Sequence, residues 1–121
     1  MTKLKIYSYK NCGTCKKALK FLDENSVAYD IVDITLTPPS EKELMNVLDG
    51  MDGNIKKLFN TSGQVYRSEG YSERLKSMSD DEAIADLSQK GKLVKRPLVV
   101  HEGTGICGFK EEAWLEFLDL K

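Results

Sequence analysis

Two thiols three residues apart, in Asn11-Cys12-Gly13-Thr14-Cys15-Lys16-Lys17, are the residues of this chain best suited to covalent chemistry. Lys3 to Tyr9 before them reads as a strand. Ala18, Leu19 and Leu22 after them recur at helical spacing. Cys12 therefore falls at the N-cap or first turn of a helix, and the two sulfurs sit on neighbouring turns, within reach of a disulfide. At that position Cys12 faces unpaired backbone N–H groups and the positive end of the helix dipole, which favour a thiolate over a thiol. Cys15 shares the apolar stripe of Leu19 and Leu22 and is expected to be buried. An exposed attacker with a shielded resolving partner is what thiol–disulfide exchange requires. Two blander uses of the same pair stand beside it. A zinc site needs two further ligands, for which only Cys107 and His101 remain, neither with a paired neighbour. Inert core cysteines are the other use.

The 121 residues suffice for one domain with its own core, and 40% hydrophobic with 31% charged residues describes an ordinary globular protein. No apolar run reaches the roughly 18 residues of a membrane span. Met1 to Lys5 leads straight into a strand without a signal-peptide core. Three cysteines, an odd number, do not suggest a secreted disulfide framework. A reducing cytoplasm is the expected compartment, where paired cysteines are more often catalytic or sensory.

A net charge of −1 argues against direct nucleic-acid binding. Its distribution is uneven. Residues 1–22 hold six lysines and no acid, and Lys10, Lys16 and Lys17 surround the thiols. That field attracts anionic substrates or glutathione-like thiols, unless the lysines are only a solvated helix face.

The elements that must position the thiols follow in order. Leu4–Tyr9 predicts a first strand, about Gly13–Glu24 a helix and Val27–Ile34 a second strand, joined by a right-handed crossover. Thr37-Pro38-Pro39-Ser40 breaks the pattern, and Ser40 with Glu43 forms a capping box ahead of Leu44, Val47 and Leu48. Gly50–Gly53 is a turn and Asn54–Phe59 a short helical turn. Tyr66–Met78 is polar and weakly periodic. Ser79 to Glu82 caps a helix carrying Ala83, Ile84 and Leu87. Leu93–Val100 reads as the third strand, interrupted by Arg96-Pro97, followed by a turn at Thr104-Gly105 and a fourth strand over Ile106–Phe109. Lys110–Leu120 closes the chain as a helix burying Trp114, Phe117 and Leu118. Apart from a helical insertion over about 37–92, this is an α/β thioredoxin-like (glutaredoxin-like) domain spanning 1–121, with a central four-stranded mixed sheet. Proline disrupts ladder pairing, so Pro97 in a strand is anomalous. A cis Arg96–Pro97 bond resolves it by turning the backbone and displaying Arg96 beside Cys12, its guanidinium open to an oxyanion or a carboxylate.

Cys12-Gly13-Thr14, Lys95-Arg96-Pro97-Leu98-Val99-Val100 and the Gly108-Phe109-Lys110-Glu111 helix start together resemble the glutaredoxin-coupled arsenate reductases of the ArsC type. They also resemble the Spx-type redox regulators of RNA polymerase. Leu58 to Gly63 and Met78 to Glu82 look like segments of a bacterial branch of this superfamily. The resemblance implies a thiol-dependent reductase with Cys12 as nucleophile, Cys15 resolving it through a redox-active disulfide, and Arg96 as the catalytic cation. It places Asn11, Gly13, Thr14, Arg96 and Pro97 around a small oxyanion or disulfide substrate. No bound cofactor or metal is implied. Glutathione, glutaredoxin or thioredoxin is the implied external reductant. The alternative implied by the Spx likeness is a redox-sensing transcriptional regulator whose partner is the α subunit of RNA polymerase. Three positions depart from the reductase pattern: Ser8 stands where a histidine is usual, Cys15 where serine is usual, and Gly108 where an arginine is expected. Besides Arg96 the chain holds only Arg67 and Arg74 as further guanidinium groups. Cys107, alternating with Ile106 and on the face of Phe109, reads as a core cysteine or else a second resolving thiol, and His101 as a surface residue.

Overall fold

The computed structural model describes residues 3–10, 12–51 and 53–119. The elements in chain order are β1 (Leu4–Ser8), α1 (Gly13–Glu24), β2 (Tyr29–Asp33), α2 (Glu41–Gly50), α3 (Gln64–Ser68), α4 (Tyr71–Arg74), α5 (Asp80–Gln89), β3 (Leu98–His101), β4 (Thr104–Cys107) and α6 (Glu111–Phe117), with 3₁₀ turns at Ile55–Leu58 and Gly91–Leu93. The sheet order is β2-β1-β3-β4. β1 and β2 are parallel, in the register Ile6↔Ile31, and β3 lies antiparallel to both β1 and β4. Strand–helix–strand followed by strand–strand–helix around this mixed sheet is the thioredoxin-like fold, with α2 to α5 inserted between β2 and β3. Among the described residues no helix is long and apolar enough to cross a membrane.

Alternation along β1 divides the core between the two faces of the sheet. Leu4 and Ile6 pack with Phe21, Leu22, Val99 and Trp114 on the face covered by α1 and α6. Tyr7 points the other way, into the layer made by the insertion with Leu44, Val47, Phe59, Tyr71 and Leu98. The helix starts follow local chemistry. Ser40 and Glu43 form a reciprocal capping box on α2, and Ser79 and Glu82 repeat it on α5. Glu43 also accepts a 2.6 Å bond from the Tyr7 hydroxyl and pairs with Lys5 at 2.8 Å, tying the start of α2 to β1.

Several boundaries differ from those read in the sequence. The third strand begins at Leu98, because Gly91–Leu93 is a 3₁₀ turn and Val94 makes only an isolated bridge to Phe59. Pro97 therefore precedes the strand and removes no ladder donor from it. Flanking the bridge, the Asn60 N–H donates to the Leu93 carbonyl and the Lys95 N–H to the Leu58 carbonyl, each at 2.8 Å. The hairpin turn falls on Glu102-Gly103, both at positive φ (51° and 80°), and not on Thr104-Gly105. A two-residue turn with both residues left-handed matches the twist of paired strands. The fourth strand is accordingly Thr104–Cys107, and Phe109 lies beyond it. α3 and α4 overlap the segment Tyr66–Met78, α3 starting two residues ahead of it, and their Tyr66 and Tyr71 rings pack against Phe59. The last helix is shorter than expected, with Trp114 buried and Phe117 and Leu118 only partly so.

Candidate functional site

α1 starts at Cys12, which is extended (φ −102°, ψ 112°) and serves as the N-cap. Its Sγ accepts the Cys15 N–H at 3.3 Å, so the sulfur takes the place a serine or aspartate oxygen occupies in other caps. The Cys12 N–H in turn donates to the Tyr9 carbonyl at 3.0 Å, anchoring the cap to the end of β1. No acidic residue stands in the first turn to oppose a negative sulfur. Cys12 is partly exposed, whereas Cys15 is only 1% exposed. Burial pushes the Cys15 thiol up to about 11, helped by its bond with Cys12; bonds from the Tyr9 backbone and the Ser8 hydroxyl pull the other way. Ser8 is itself buried, at the end of β1. All three cysteines are free thiols in this structure.

The Arg96–Pro97 bond is cis. The Arg96 guanidinium lies over the Tyr9 ring, 5.0 Å from its centroid, so the tyrosine that accepts the Cys12 N–H also supports the cation. Cys12, Thr14 and Arg96 line one groove of ≈ 970 Å³. Gly13 is exposed at the first turn of α1. Pro97 is buried against the start of β3, and Asn11 lies outside the described residues. Among the described residues no cluster of three or more His, Cys, Asp or Glu side chains could hold a metal ion.

The groove also gathers residues that the sequence reading did not assign to a site. Lys57, Asn60, Thr61 and Ser62 come from the insertion, Lys95 from the segment before β3, and Lys110 from the start of α6. The run Asn60-Thr61-Ser62 was legible as a polar loop, but nothing local shows that it faces the thiols. Arg67 and Arg74 do not line the groove. Arg74 instead lies 4.2 Å over the Tyr71 ring and pairs with Asp86 at 3.5 Å, a structural use. Cys107 is 8% exposed, its Sγ donating to the Lys57 carbonyl at 3.2 Å and lying 3.4 Å from the Met51 sulfur. It packs with the insertion, whereas Ile106 and Phe109 belong to the layer of α1 and α6; the shared face read for Cys107 and Phe109 is thus corrected. Burial pushes the Cys107 thiol up to about 12.

The model of the ArsC family matches residues 7–117. The chain belongs to the ArsC family. It is 40% identical over 113 residues to the uncharacterised protein YusI of Bacillus subtilis (strain 168), covering 93% of this chain and 96% of that one. The solved structure of an ArsC-family-related protein from Bacteroides fragilis superposes with a TM-score of 0.88 at 42% identity, covering 95% of this chain and 97% of that one. More distant ArsC-family relatives carry two kinds of name. An arsenate reductase of Escherichia coli is 28% identical, covering 88% of this chain and 75% of its own. The global transcriptional regulator Spx 2 of Lactococcus lactis subsp. lactis (strain IL1403) is 24% identical, covering 93% and 84%.

Proposed function

We propose that this ArsC-family chain is a thiol-dependent oxidoreductase in which Cys12 is the nucleophile and Cys15 the resolving thiol. The observation that carries the reading is the pairing of a partly exposed sulfur at the mouth of α1 with a buried one whose N–H it accepts at 3.3 Å. The Cys12 thiolate attacks one sulfur of a disulfide RS–SR′. The S–S bond breaks, R′S⁻ leaves, and Cys12 holds R as a mixed disulfide. Cys15, once deprotonated, attacks Cys12 Sγ and displaces RS⁻, leaving a Cys12–Cys15 disulfide. Glutathione, glutaredoxin or thioredoxin then returns two electrons to the pair. Arg96, held over Tyr9, is the cation nearest in role to an oxyanion or carboxylate clamp. A tetrahedral oxyanion is a less suitable substrate than a disulfide, because among the described residues Arg96 is the only guanidinium lining the groove.

The test is NADPH consumption coupled through glutathione and glutaredoxin, with hydroxyethyl disulfide and arsenate as alternative substrates. Cys12→Ser is expected to lower disulfide turnover by about a thousandfold or more, the loss expected when an obligatory nucleophile is removed. Equal rates for wild type and Cys12→Ser on both substrates would end the reading. A second reading is favoured by the Cys-x-x-Cys pair together with the Spx relative: a redox-sensing regulator that binds RNA polymerase. It predicts capture of the C-terminal domain of the polymerase α subunit in one redox state only, and absence of capture in both states removes it.

A further inference from the structure

Tyr9, the first residue beyond β1, touches each of the three groups to which the exchange reading gives a role. Its carbonyl accepts the Cys12 N–H at 3.0 Å, and its backbone also bonds the Cys15 thiol. Its ring carries the Arg96 guanidinium, whose central carbon lies 5.0 Å from the ring centroid. The ring is partly buried and packs against the core that the sheet shares with the insertion. The guanidinium thus rests on a surface that two backbone bonds and a core contact hold in place.

A second arginine shows what sets Arg96 apart. Arg74 lies 4.2 Å over the Tyr71 ring, but it also pairs with Asp86 at 3.5 Å and with Glu69 at 3.9 Å. Its charge is matched within the fold. Among the described residues no carboxylate pairs with Arg96. A ring face attracts a cation without taking up its N–H donors, so the fork of the guanidinium stays available to a carboxylate. Arg96 is partly exposed, and Lys57, Lys95 and Lys110 line the same groove. Among the described residues Glu116 is the one carboxylate that lines it with them.

We infer that Tyr9 is a positioning residue: its ring fixes the Arg96 guanidinium in the groove of Cys12, and the site thereby selects disulfides that carry a carboxylate. The inference rests on the exchange reading above and names its substrate class. Arg96 takes the carboxylate through paired N–H donors. The Cys12 thiolate attacks one sulfur of that disulfide, the S–S bond breaks, and the other half leaves as a thiolate. Cys15, once deprotonated, attacks Cys12 Sγ and releases the first half as a second thiolate, the two electrons coming from the Cys12–Cys15 pair. A ring that served packing alone would act equally on every substrate. A ring that serves Arg96 shows itself in the preference for charge.

The test uses Cys15→Ser protein, in which Cys12 halts at the mixed disulfide, and follows adduct formation by mass spectrometry. The probes are dithiodipropionate, a dianion, and the similarly sized but neutral hydroxyethyl disulfide. Each rate is divided by that of free 2-mercaptoethanol with the same disulfide. The protein is expected to favour the dianion by about tenfold or more, the scale of a charge-assisted pair of bonds. Tyr9→Phe keeps the ring face and should keep that preference. A fully fluorinated phenylalanine in place of Tyr9 has nearly the same shape but no negative face, and should lower the preference about fivefold. Added to Arg96→Gln, the fluorinated ring should lower it no further, because the cation it acts through is gone. Three results would each overturn the inference while leaving the exchange reading standing: no preference for the dianion, a preference lost in Tyr9→Phe or untouched by fluorination, or a further loss in the Arg96→Gln protein. Failure of hydroxyethyl disulfide to modify Cys12 would overturn the exchange reading and this inference with it.

Discussion

At the scale of the residue, the three cysteines are distinguished by where the fold puts them. Cys12 is partly exposed at a helix start, while Cys15 and Cys107 are 1% and 8% exposed. Iodoacetamide at neutral pH is expected to alkylate Cys12 about a hundredfold faster than either of the others, as mass spectrometry of the folded protein would show. Comparable labelling of Cys15 would contradict that ranking. The buried thiols also set a pH dependence of stability. Cys15 at about 11 and Cys107 at about 12 both lie above the ordinary thiol value of 9.0. Below pH 9 the folded and unfolded chains are equally protonated at these sites. Above it the unfolded chain releases protons that the native state keeps, so stability is lost as pH rises toward the folded values. The loss is about 1.4 kcal/mol per pH unit for each such thiol. The urea midpoint of the reduced protein should fall between pH 9 and 11, and Cys107→Ala should flatten that fall.

At the scale of the element, helix starts report how local chemistry defines the fold. Ser79→Ala removes one half of the α5 capping box and is expected to cost about 1 kcal/mol by urea denaturation. Glu43→Ala should cost more than Ser40→Ala, because Glu43 also accepts the Tyr7 hydroxyl bond that joins α2 to β1. If the two costs are equal, that cross-link adds no stability. The same chemistry explains what could be read without coordinates. Ser40 with Glu43, Ser79 with Glu82, and a cysteine pair ahead of Ala18 and Leu22 are contiguous signals, and α1, α2, α5 and both thiols were placed by them. The hairpin was misplaced by two residues because Thr104-Gly105 and Glu102-Gly103 both offer a glycine, and only pairing with β3 decides between them. Helices α3 and α4 fall inside the expected helical insertion, but their bounds are not legible, because Tyr66 and Tyr71 are held by the Phe59 ring and not by a local repeat. Lys57 and Lys95 were missed at the site for the same reason.

At the scale of the whole molecule, the insertion and the sheet share one buried core, in which Tyr7 and Leu98 pack with Leu44, Val47, Leu58 and Tyr71, and two backbone contacts tighten the join. Gly91 is one: a Cβ there would sit 1.8 Å from the Ile34 carbonyl oxygen. Gly91→Ala is therefore expected to destabilise the protein by about 1–3 kcal/mol, the usual cost of forcing backbone apart, measured as a lowered urea midpoint. An unchanged midpoint would mean that the chain after β2 gives way freely. The other join is the Phe59–Val94 bridge with its two flanking 2.8 Å bonds, which lies immediately ahead of Arg96. The segment that carries Arg96 is thereby tied to the insertion, while its guanidinium rests on Tyr9, whose carbonyl also holds the Cys12 N–H. A change in the inserted helices that shifts the Phe59–Val94 bridge therefore reaches the Arg96 cation and, through Tyr9, the start of α1.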